Sequence, residues 1–98
     1  MGHSFRTQQI FADSRIRDAM AGDGDACFDL GVAFSSGTDG CAIDLIEAHK
    51  WFNIAALAGN ARAMECRAEI AEDMSAREII EAQRQARALL AINSRHAA

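Results

Sequence analysis

Ninety-eight residues make one domain, 1–98, that buries about 60–70% of its unfolded surface and is of modest stability. Half of the residues are hydrophobic, 21 are Ala, none is Pro or Tyr, and the net charge is −4. That balance argues against a nucleic-acid-binding or anionic-membrane surface, and no run approaches 18 consecutive apolar residues, so neither nucleic acid nor membrane is an expected partner.

The segment Met1-Gly2-His3-Ser4-Phe5-Arg6 carries no apolar run before a cleavage-like site and is not expected to be a signal peptide. A first helix is predicted over 8–21, with Ile10, Phe11, Ile16 and Met20 spaced for one face. Gly22-Asp23-Gly24-Asp25 breaks it, since Asp favours helix N-caps and Gly supplies a tight corner. The second helix, 26–36, places Ala26, Leu30, Ala33 and Phe34 inward. Gly31 sits inside it, where it costs about 1 kcal/mol relative to Ala, so a close neighbouring backbone is expected there.

Residues 35–43 read as a glycine-containing loop, and Asp44 with Glu47 as a capping-box start to a third helix over 45–58. The fourth helix covers 61–72. Ser75 with Glu78 forms a second capping box, opening the longest helix, 76–93, with Ile79, Ala82, Ala86, Leu89 and Leu90 inward. Residues 1–7 and 94–98 are expected to fray. No alternating strand pattern appears. The expected fold is all-α: a short α-solenoid of about five antiparallel helices, since connections this short make consecutive helices antiparallel neighbours.

Two internal echoes support that architecture. Ala19-Met20-Ala21-Gly22-Asp23 followed by Ala26 returns 37 positions on as Ala56-Leu57-Ala58-Gly59-Asn60 followed by Ala63. Leu45-Ile46-Glu47-Ala48 returns 34 positions on as Ile79-Ile80-Glu81-Ala82. Periods of 20–50 residues mark stacked two-helix units, each unable to bury its apolar face alone.

The residues Ala26, Leu30, Gly31, Phe34, Gly37, Gly40, Asp44, Ala48, Trp51, Ala55, Ala56 and Gly59, in this order and spacing, resemble the repeat of the SEL-one-like repeat (SLR) family, relatives of the tetratricopeptide repeats. The match covers 22–60 well, and a degenerate second copy extends to about 90. The loop carries an extra residue (Thr38-Asp39), and Cys41 stands where Val is usual. In the second copy Arg67-Ala68 replaces Leu-Gly, and Gln85 stands where Trp would fall. The chain thus reads as one complete repeat plus partial repeats. Some relatives are secreted with a disulfide in each repeat. Here Cys27 finds Ala19 at the would-be partner position, so that subgroup is not indicated. Three Cys (Cys27, Cys41, Cys66) fit reduced thiols in a cytoplasmic protein.

The resemblance implies an adaptor or scaffold that binds another protein, with the first helix of each pair lining a concave groove. In the second helix that stripe is Asp25, Phe28, Val32, Ser35 and Ser36; in the fourth it is Arg62, Glu65, Glu69, Glu72 and Asp73. Such a groove fits a peptide or helix carrying basic and apolar residues. The plainer alternative is a solvated charged face with Phe28 covered by the first helix. A short solenoid also leaves apolar faces at its ends, so self-association is expected around Ile10, Phe11 and Ile16 and around Ile79, Leu89 and Leu90.

Catalysis is not expected. Some relatives were described as β-lactamase-like, which keeps a hydrolase as the rival reading, but no S-x-x-K motif and no Ser, His, Asp set is recognisable. A structural fragment of a longer array is the third. Cys27, Cys41, Cys66, His3, His49 and His96 lack zinc-ligand spacing, and Asp23-Gly24-Asp25 lacks the twelve-residue calcium loop, so no metal or cofactor is expected. Cys41 lies eight residues from His49 with nothing to orient the two. Arg77, Arg84, Arg87 and Arg95 alternate with Glu78 and Glu81, as on a salt-bridged solvent face. Trp51, Phe52, Phe34 and Leu30 are the expected core.

Overall fold

The computed structural model describes residues 16–38 and 40–97, with side chains as far as Ile92. Every regular element among them is helical: α1 (16–20), α2 (Gly24–Ser36), α3 (Leu45–Leu57), α4 (Ala61–Ala71) and α5 (Ala76–Ala97). The expected all-α fold is what the chain adopts. Ile10 and Phe11, the rest of the first helix and the expected fraying at 1–7 lie outside the described residues. At the other end α5 runs on to Ala97, past the predicted end at 93 and through residues expected to fray.

The 37-residue echo is a repeated piece of backbone. At the end of α1 the Asp23 N–H donates to the Asp18 carbonyl (3.2 Å) and the Gly22 N–H to the Ala19 carbonyl (3.1 Å). At the end of α3 the Asn60 N–H donates to Ala55 (3.0 Å) and the Gly59 N–H to Ala56 (3.1 Å). Both are Schellman turns, and both need glycine, with φ +96° at Gly22 and +101° at Gly59. The residue after each glycine then caps the next helix. Asp23 Oδ1 accepts from the N–H groups of Asp25 and Ala26, and Asn60 Oδ1 from that of Ala63. Because Asp23 is the cap, α2 starts two residues earlier than predicted. The two corners touch: a Cβ on Gly24 would sit 3.0 Å from that of Ala58.

The two predicted capping boxes differ. At α5 the box is reciprocal: the Ser75 N–H donates to Glu78 Oε1 (2.8 Å) and the Glu78 N–H to Ser75 Oγ (3.1 Å). At α3 only half forms. Asp44 Oδ1 accepts from the Glu47 N–H (3.1 Å), but the Asp44 N–H donates instead to the Phe34 carbonyl (2.9 Å), an orphan acceptor at the end of α2. That bond closes the loop between the helices and leaves the Glu47 carboxylate for other partners.

Helix α3 is the hub, with α2, α4 and α5 each packed on it. Ala19, Ala48, Ala55, Ala63, Ala82 and Ala86 are fully buried, and their small side chains allow this close approach. Phe52, Leu30 and Cys27 are the largest fully buried side chains; burial of Phe52 or Leu30 contributes about 1.5–3 kcal/mol each. Trp51 is buried, whereas Phe34 is only half-buried at the margin. Gly31 is explained by a side chain rather than by a neighbouring backbone: a Cβ there would lie 2.5 Å from two atoms of the Phe52 ring.

Candidate functional site

The 34-residue echo repeats a set of side-chain bonds. On α3 Glu47 accepts from Lys50 Nζ (2.8 Å) through Oε1 and from Trp51 Nε1 (3.1 Å) through Oε2. On α5 Glu81 accepts from Arg84 (Nε 3.0 Å, Nη2 2.6 Å) and from Gln85 Nε2 (2.8 Å). Gln85 thus keeps the N–H donor of the Trp it stands in for and discards the ring. Lys50 also lies 5.2 Å from the Trp51 ring centroid, a cation–π contact. The bonds from Arg84 first, then Gln85, hold the Glu81 carboxyl down to about 2.

Glu47, Lys50 and Trp51 of the first clamp and Arg84 and Gln85 of the second line one cavity of about 420 Å³, walled also by Ile16 and Met20 of α1 and by Leu89 and Ile92 of α5. Ile16 and Leu89, expected at opposite ends of the array, therefore face the same space. Ile16, Leu89 and Leu90 pack on the core, and Ile79 is half-buried; Ile80, which the sequence reading did not single out, is 62% exposed.

The predicted groove residues divide by helix. On α2, Asp25 and Val32 are exposed and Ser35 is half-buried. Phe28 is half-buried, its ring 5.7 Å from that of Phe52 and tilted by 50°. On α4 and its C-cap, Arg62, Glu65, Glu69 and Glu72 are all exposed, and none is in an ion pair among the described residues. Of the predicted groove residues only Asp25 lines the polar cavity of about 300 Å³ between the two glycine corners, with Asp23, Gly24, Gly59 and Asn60. The carboxylates facing the α3–α5 seam are spoken for by their own cations; those of α4 are not.

The remaining reactive groups are quiet. No disulfide links Cys27, Cys41 and Cys66. Cys27 Sγ donates to the Ala19 carbonyl at 3.5 Å, and burial, then Asp23, pushes its thiol up to about 11. Burial and then Glu69 also raise the Cys66 thiol. Neither environment activates a nucleophile. Among the described residues no group of three or more His, Cys, Asp and Glu side chains is placed to hold a metal ion, and no helix is long and apolar enough to cross a membrane.

His49, weighed in the sequence only as a metal ligand or a partner for Cys41, is a buried polar group. Its Nδ1 has no hydrogen-bond partner among the described residues. Burial first, then Arg67 of α4, lowers its pKa from the ordinary value, so the ring stays neutral. Arg67 itself donates to the Asn53 side chain, one turn along α3 from His49. No protein-family model, no curated protein and no solved structure matches this chain.

Proposed function

We propose that this chain is a cytoplasmic protein-interaction module of the SEL-one-like repeat type, which binds a basic, amphipathic helix or peptide along the α2–α4 face. The observation that carries the reading is the set of exposed carboxylates on α4, Glu65, Glu69 and Glu72, with no cation holding them among the described residues. A row of like charges on one helix face is unfavourable in isolation and is relieved by a cationic partner. Val32, 39% exposed on α2, is an apolar side chain available to the same partner. The recurrence of the glycine corner and of the glutamate clamp supports the repeat assignment, and three Cys without a disulfide suit a reducing compartment.

The test uses a synthetic amphipathic peptide of Leu and Lys, followed by fluorescence anisotropy. Binding is expected at low salt and is weakened about tenfold or more by the triple substitution Glu65→Gln, Glu69→Gln, Glu72→Gln, with the melting temperature unchanged. Absence of binding, or binding indifferent to the triple substitution, contradicts the proposal.

A further inference from the structure

The two helical units differ on one side. On α3 Ile46, His49 and Asn53 are half-buried or buried, and α4 packs on that helix, with Arg67 donating to Asn53. Thirty-four residues on, Ile80, Gln83 and Arg87 hold the same positions on α5, and all three are exposed. Helix α5 therefore carries the counterpart of a helix-receiving face with no helix on it among the described residues.

The chemistry of that face is specific. Arg77, Ile80, Arg84, Arg87 and Ala91 follow the alternating three- and four-residue spacing of one helix stripe, and all are exposed. The acids of α5 are engaged elsewhere, Glu78 in the capping box and Glu81 with Arg84 and Gln85. The outer face of α4 has the opposite character: Ala61, Glu65, Ala68 and Glu72 in one stripe, flanked by Glu69 and by Met64 at 53% exposure. Three carboxylates and a methionine lie on one helix; on the other lie Ile80 and the guanidinium groups of Arg77 and Arg87, neither of which is in an ion pair among the described residues.

We propose that the protein self-associates by laying the outer face of α4 of one copy on the outer face of α5 of a second. In this contact Arg77 and Arg87 meet the carboxylates of Glu65, Glu69 and Glu72, and Met64 and Ile80 leave water together. The inference rests on α4 being the docking face and names its occupant. Exposed ion pairs contribute little each, so the association is weak, salt-sensitive and concentration-dependent. Each copy carries both faces, so a two-fold arrangement uses the contact twice.

Sedimentation equilibrium from about 10 µM to about 1 mM is the test, at low and at high salt. The unmodified chain is expected to exceed the monomer mass at low salt and to approach it at high salt. Arg77→Glu with Arg87→Glu, and separately Glu65→Arg with Glu72→Arg, each weaken association about tenfold or more. An equimolar mixture of those two variants regains it, because each supplies the charge the other now needs. Circular dichroism checks that every variant is folded. A monomer throughout, self-association untouched by either variant, or no recovery in the equimolar mixture overturns the contact. A monomer that still binds the basic peptide overturns this inference while sparing the docking face itself.

Discussion

The α2–α3 unit and the α4–α5 unit share polar bonds and differ in their apolar filling. Phe52 and its counterpart Ala86 are both buried, but only the first is a ring. That ring occupies the space left by Gly31, whose counterpart 37 residues on is an exposed Ala68. Trp51 has likewise become Gln85, yet the donor to the glutamate persists. The positions 34 and 37 residues on carry neither ring nor glycine, which fits a glycine that makes room for the ring. The second unit, without aromatics of its own, is held by packing on α3 and keeps polar and charged residues on its outer faces.

Substitutions can break this comparison. Phe52→Ala, which gives the first unit the residue of the second, is expected to cost about 3–5 kcal/mol in denaturant unfolding. Gly31→Ala forces the ring to move, and its net cost is about 1–2 kcal/mol after the gain in helix propensity. The mirror change, Ala68→Gly on the exposed face of α4, costs about 1 kcal/mol from propensity alone. If Gly31→Ala stabilised the protein, the ring-and-glycine account would fail.

His49 sharpens the comparison through pH. Its folded pKa lies below 6.5 while the unfolded chain titrates near 6.5, so the unfolded state takes up the proton first as pH falls. Stability is therefore full above about pH 6.5 and declines below it, by up to about 1.4 kcal/mol per pH unit, until the folded-state pKa is reached. His49→Leu should flatten that decline, seen as a smaller drop in melting temperature between pH 7 and 5; an unchanged drop would assign it to other groups. The smallest effects concern the clamps. Glu47→Gln, at the half-buried clamp, costs about 1 kcal/mol, whereas Glu81→Gln, at the exposed one, leaves the melting temperature unchanged.

Helix positions were legible in the sequence because their signals are local. Alanine content, glycine corners and the Ser75–Glu78 box each act within a few residues. Whatever depended on a distant partner was not legible. The Phe52 ring at Gly31 and the Phe34 carbonyl that takes the Asp44 N–H belong to packed neighbours, and neither leaves a short-range pattern. The orphaned Nδ1 of His49 is likewise invisible in a helical periodicity. Ile16 and Leu89 lie far apart in sequence, and only the packing of the helices brings them to one cavity. For the proposed docking face, composition revealed the acids at 65, 69 and 72, and only the structure separates them from Glu47 and Glu81, which hold cations of their own.

The central claim is that a basic amphipathic helix lies along α4. Adding the Leu–Lys peptide to nitrogen-15-labelled protein and following the amide resonances tests it most directly. The account predicts shifts concentrated at 25–35 and 61–72, lost in the Glu65, Glu69, Glu72 to Gln variant. Shifts centred on the cavity around Trp51, Gln85 and Leu89, or no shifts at all, would contradict it.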